Sequence, residues 1–93
     1  MILITNSGSA VQILRLDFVC DVDYKDKGEV YVAACFYEPG INDFIRRHIA
    51  KRYAKNEDEL KKAKESFYLE FLPQAAGDKA FTPDDIDGWV SLY

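Results

Sequence analysis

The stretch QILRLDFVCDVDYKDKGEVYVAACFY, residues 12–37, decides the fold. Within it Leu14, Leu16, Phe18, Cys20, Val22 and Tyr24 fall on every second position, with Arg15, Asp17, Asp21 and Asp23 between them. Alternation with a period of two is the pattern of a strand with one buried and one wet face. A second run, Val30 to Tyr37, is rich in β-branched and aromatic residues that suit a pleated surface. Asp26-Lys27-Gly28 joins the runs, so the stretch reads as a long hairpin whose turn places Gly28 in the left-handed conformation. This turn pairs residues 25 with 29, 22 with 32, 20 with 34 and 18 with 36. Phe18, Cys20 and Val22 then meet Val32, Ala34 and Phe36 on the inner face, while Asp17 lies opposite Tyr37 and Asp23 opposite Tyr31 on the outer one. Cys20 and Cys35 point to opposite faces in this register, and no disulfide is expected. A two-residue Lys27-Gly28 turn would pair them, but only by setting the apolar row of one strand against the wrong row of the other.

Outward from the hairpin, Met1-Ile2-Leu3-Ile4 reads as a strand and Ser7-Gly8-Ser9 as a turn. Past Pro39-Gly40, the residues Ile41, Phe44, Ile45, Ile49 and Tyr53 recur at helical spacing, with Arg46, Arg47, Lys51 and Lys55 turned away from them. An amphipathic helix over 41–55 is expected, with Asp43 and Arg47 as an i,i+4 pair. Asn56 followed by Glu57-Asp58-Glu59 is an N-cap with acids in the first turn, so a second helix starts at Glu57 and buries Leu60 and Ala63. Residues 67–72 are read as a strand, because a helix continued to Pro73 would be apolar on all sides. Residues 74–79 form a loop. Thr82-Pro83-Asp84-Asp85 opens a short terminal helix carrying Ile86, Trp89, Val90 and Tyr93 on one side. Gly88 costs that helix about 1 kcal/mol relative to Ala, so the alternative is a helix ending at Asp87 with residues 89–93 joining the sheet. The expected fold is α+β: a small antiparallel sheet built on the hairpin of 12–37, with two or three helices packed on one face, in a single domain of residues 1–93.

The 93 residues carry 12 Lys+Arg against 16 Asp+Glu, a net charge of −4. Residues 1–40 are acidic, 41–66 basic and 67–93 acidic. The balance opposes a whole-surface attraction to nucleic acid or to anionic membrane. Two cysteines, and no leader or long apolar run, fit a cytoplasmic protein with no membrane contact.

Motifs for chemistry are lacking. The single histidine, His48, has no thiol or hydroxyl placed by the sequence to act with it, and neither cysteine has the spacing of a zinc ligand. Asp21-x-Asp23 and Asp84-Asp85-x-Asp87 are explained by an exposed strand face and a helix start, without a metal. No glycine-rich phosphate loop occurs. We therefore expect no catalytic residues, cofactor or metal, and rank a small hydrolase built on carboxylates last.

Two surfaces carry the functional expectation. The outer face of the hairpin brings together Asp17, Asp21, Asp23, Tyr31 and Tyr37, an acidic field with tyrosines suited to a larger protein with a basic surface. Its carboxylate spacing is comparable to that of successive phosphates, so such a partner includes a nucleic-acid-binding complex whose site this face would occupy. In size and charge the chain is similar to compact acidic inhibitors encoded by phages and mobile elements, a likeness of composition that covers no motif. The alternative is a nucleic-acid-binding module using Arg46, Arg47, Lys51, Arg52 and Lys55 of the basic helix, with direct nucleic-acid binding ranked below protein binding. The alternating charge also permits a symmetric homodimer.

Overall fold

A computed structural model describes residues 1–20, 27–38 and 40–93. Five strands follow one another as an antiparallel meander: β1 (Ile2–Ile4), β2 (Ala10–Val19), β3 (Glu29–Glu38), β4 (Asp43–Tyr53) and β5 (Val90–Ser91). One helix of 19 residues, α1 (57–75), packs against the sheet. The class is α+β, with one helix in place of the expected two or three.

The first correction concerns residues 41–55, which form the hairpin partner of β3 and not a helix. Asn42, at φ 54°, turns the chain after Glu38, whose carbonyl accepts from the Ile41 and Asn42 N–H groups. β4 then pairs with all of β3, from Glu38 opposite Asp43 to Glu29 opposite Tyr53. Its period-two signal is hidden because both faces carry cations: Arg46 and Lys51 point out, whereas Arg47 and Arg52 point in. The inward pair is accommodated by aromatic rings, with the Arg47 guanidinium 4.7 Å from the Tyr93 ring centre and that of Arg52 5.9 Å from Trp89. Asp43 and Arg47, expected as a helical ion pair, lie four residues apart on one side of this strand.

The second correction is the β2–β3 register. Phe18 lies opposite Val32, Leu16 opposite Ala34 and Ile13 opposite Phe36. Even-with-even facing is kept for Leu16 and Phe18, but β2 ends at Val19, and the expected turn, which includes Asp26, lies partly outside the described residues. A bulge between Ile13 and Arg15 lets Ile13 and Leu16 both point inward, leaving Leu14 58% exposed. Cys20, expected in the apolar row, is exposed beyond the end of β2. Asp17 is opposite Ala33, not Tyr37, and Tyr31 is opposite Val19. Gly28 has the expected left-handed φ, 75°. The expected positions of Val22, Asp23 and Lys25 lie outside the described residues.

The third correction is the expected strand at 67–72, which continues α1. Asn56 Oδ1 accepts from Glu59 N–H at 2.9 Å and the Glu59 carboxylate accepts from Lys55 N–H at 2.7 Å, so α1 starts where its acidic first turn places it. Ahead of Pro73, which has no N–H and crowds the preceding turn, the helix widens over Phe67–Phe71 and Leu72 N–H bonds the Phe67 carbonyl. Phe67 and Phe71 stay on the buried side; Tyr68 and Leu69 are exposed, Leu69 by 73%. The all-round apolar helix is thus resolved by leaving one side wet.

The fourth correction is the terminal helix, reduced to a single 3-10 turn at Pro83–Asp85. Gly88, at φ 87°, cannot continue a right-handed helix, and the Arg52 guanidinium lies where a Cβ would stand. Val90–Ser91 joins β4 instead, the sheet alternative for this segment. Residues 81–93 act as a strap. Phe81 bridges β1, with Ile4 N–H on the Phe81 carbonyl and Phe81 N–H on the Ile2 carbonyl. Leu92 N–H bonds Ile49 of β4, and the Tyr93 carbonyl accepts from Asn6 at 2.6 Å.

Between sheet, helix and strap lies one apolar cluster. Val30, Val32, Ala34 and Phe36 form the inward row of β3, and α1 adds Ala63, Phe67, Phe71 and Ala75. Phe71 meets Trp89 edge-on at 5.3 Å and Phe81 at 5.9 Å, while Phe67 reaches Phe18 at 5.7 Å. The Trp89 indole N–H donates to Ser66 Oγ at 3.0 Å, and that hydroxyl donates to the Glu70 carboxylate at 2.8 Å. No helix among the described residues is long and apolar enough to cross a membrane. Phe71→Ala should lower unfolding free energy by about 3–5 kcal/mol, and Ser66→Ala, which strands the buried indole N–H, by about 1–3 kcal/mol. Urea melts followed by Trp89 fluorescence measure both.

Candidate functional site

The inner face of the sheet is covered, and the outer face of β2, β3 and β4 meets solvent. Alternation places Arg15 and Asp17 of β2 there, with Glu29, Tyr31, Cys35 and Tyr37 of β3 and Phe44, Arg46, His48 and Lys51 of β4. Cross-strand rows follow from the register. Arg15, Cys35 and Arg46 form one row, Asp17, Ala33 and His48 the next, and Val19, Tyr31 and Lys51 a third.

The Asp17 carboxylate lies 3.2 Å from Arg15 Nε and 3.7 Å from Arg46 Nε. Arg15 also donates to Cys35 Sγ at 3.2 Å, and Asp17 first, then Cys35, raise its guanidinium above the ordinary value. Beside this group the Tyr31 ring stacks on His48 at 4.7 Å, and its hydroxyl donates to the Glu29 carboxylate at 2.7 Å. That hydrogen bond, with Lys51 Nζ at 3.6 Å as the lesser influence, holds the Glu29 carboxyl below its usual range. At the other end Tyr37 and Phe44 meet edge-on at 5.3 Å, 45% and 63% exposed, and Ile41 of the adjoining turn is 58% exposed.

Of the expected acidic face, Asp17, Tyr31 and Tyr37 share this surface, whereas Asp21 and Asp23 lie outside the described residues. The expected basic ridge is divided. Arg46 and Lys51 join the same outer face; Arg47 and Arg52 turn inward to Tyr93 and Trp89; Lys55 lies at the entrance to α1, its backbone N–H on Glu59. The two candidate surfaces are therefore partly one surface, on which each outward cation of β4 has a carboxylate within 4 Å. The sequence reading missed Phe44, assigned to a buried helical stripe, and the contributions of Arg15 and Glu29. Phe44, Arg46 and His48 on alternate positions beside Tyr37 and Cys35 were the available signal.

Among the described residues no three His, Cys, Asp or Glu side chains gather to hold a metal. Ser66, the hydroxyl beside a carboxylate, spends both its bonds fixing Trp89. Comparison with protein-family models, with curated proteins and with solved structures yields no match.

Behind the face, Tyr93 packs edge-on against Phe36 at 5.5 Å and donates its hydroxyl to Glu38 at 3.2 Å. Burial first, then Glu38, raises its phenol above the ordinary value of 10.0. A raised phenol favours the neutral form in the folded state, so its stabilisation is complete below the unfolded value and disappears as pH rises through the folded one. Tyr93→Phe should flatten this part of the alkaline stability loss. Alkaline melts by circular dichroism, with phenolate absorbance alongside, check it; an unchanged alkaline slope would refute the assignment.

Proposed function

We propose that the protein is a non-catalytic binding module that engages a larger protein through the outer face of β2, β3 and β4. The observation supporting this most directly is the exposed Tyr37–Phe44 pair beside Arg46, on a sheet face that no other element covers among the described residues. Tyrosine, phenylalanine and arginine are enriched in the cores of protein interfaces, where rigid rings and planar guanidinium groups bring contact area with little loss of freedom. The net charge of −4, to which Asp21 and Asp23 contribute, directs encounter toward a basic partner surface. Occupying the nucleic-acid site of such a partner is one form of this activity.

Direct nucleic-acid binding ranks second on charge. Phosphate binding draws its free energy from cations that release counterions, and Arg46 and Lys51 already face Asp17 and Glu29. The two readings separate experimentally. With the immobilised protein, partner capture should survive nuclease treatment, and Asp21→Lys/Asp23→Lys and Tyr37→Ala should each reduce it at least ~10-fold without shifting the thermal midpoint. Loss of capture on nuclease treatment, together with direct binding of a labelled single-stranded oligonucleotide that weakens log-linearly with salt, would replace this reading with the second.

A further inference from the structure

The strap covers the outer edge of β1 at Phe81, and β5 covers β4 at Ala50 and Lys51. The first part of β4, Asp43–Arg47, has β3 on one side and no strand on the other among the described residues. The Phe44 N–H is held by the Asp43 carboxylate at 2.7 Å, so Phe44 and Tyr37 are a non-hydrogen-bonded pair. By the alternation of antiparallel ladders, the N–H and C=O groups of Phe44 and Arg46 are directed away from β3, toward the open edge. An edge of this kind is a template for another strand. A groove lined by Glu38, Ile41, Ile45 and Arg46 runs beside it.

We propose that this edge pairs with a second copy of the chain, β4 against β4 in antiparallel twofold symmetry centred on Ile45. The occupant is indicated by self-complementarity. A twofold antiparallel pairing about Ile45 sets Asp43 opposite Arg47 of the second copy, Phe44 opposite Arg46, and Ile45 opposite Ile45. The charges match in both halves, an aromatic ring meets a guanidinium on the outer side, and half-buried Ile45 meets its equivalent at the centre. Phe44 and Arg46 also become a hydrogen-bonded pair, the role their edge-directed groups require. Asp43 has a part in both states. It holds the Phe44 N–H in the single chain and, when the Arg46 carbonyl of the second copy takes over that N–H, it turns to Arg47 of that copy. The outer faces of the two copies then lie on the same side of one continuous sheet.

Two charge reversals test this. Asp43→Arg leaves positive charges opposite each other in a dimer of that variant, and Arg47→Asp leaves negative ones. Mixed together they restore both pairs, Arg against Asp on each side. In sedimentation equilibrium over a concentration series, the native chain should dimerise, each variant alone should do so at least ~10-fold more weakly, and the equimolar mixture should regain native affinity. Thermal melts of both variants confirm that the fold is retained. Should a variant melt low, Phe44→N-methyl-Phe by chemical synthesis removes the edge N–H without changing charge, and it should weaken the dimer comparably. A native chain that stays monomeric throughout the series, or a mixture no tighter than its parts, would overturn the proposal. So would a dimer indifferent to every one of these changes. None of these outcomes bears on partner capture by the outer face, so the two proposals fail separately.

Discussion

Trp89 sits between the ring of Phe71, which it meets edge-on, and the hydroxyl of Ser66, which accepts its indole N–H. Much of the architecture depends on this residue being held at both places. Ser66 and Phe71 belong to α1, and Trp89 belongs to the strap, so the contact joins the helix to a segment that reaches both β1 and β4. The Arg52 guanidinium also approaches the indole and donates to the Asp87 carbonyl, next to the left-handed turn at Gly88 that sends the chain into β5. Without this anchor the Arg52 guanidinium would lose both the indole ring beside it and the Asp87 carbonyl that accepts its hydrogen bond.

That inward placement explains the character of the outer face. With Arg47 and Arg52 turned to the strap, the outer surface keeps only part of the basic segment, and each cation it keeps stands beside an acid of β2 or β3. The result is a short-range mosaic of charge interrupted by rings. Charges paired at this range cancel much of each other's field at a distance, where a uniformly charged surface would project it.

The hairpin centre was legible in the sequence because its apolar residues alternate cleanly: Val30, Val32, Ala34 and Phe36 occupy the inward row of β3 as their spacing implies. The start of α1 was legible as well, since Asn56 and Glu59 bond as their types and separation suggest. Residues 41–55 were not, because the apolar positions Phe44, Ile45, Ile49 and Tyr53 fit a helical stripe while the inward cations concealed the strand period. A bulge at Ile49, where β3 passes from Val32 to Ala33, further disturbed the alternation. The register of β2 was lost for a related reason: the bulge at Leu14 interrupts the apolar row. At the candidate site, Tyr31 and Tyr37 followed from the pleat of β3. Their basic neighbours could not follow, since they arrive from a strand that the sequence disguised.

The strap also bears on how the chain folds. The hairpins of the meander join residues close in sequence and lose little entropy in closing, whereas bonding Ile2 and Ile4 to Phe81, and Asn6 to Tyr93, closes nearly the whole polypeptide into a loop. Those closures gain little until the sheet and α1 have assembled a surface for Trp89 to enter. Loop-closure entropy therefore favours the middle of the chain over its two tied ends, which carry the longest closures in the fold.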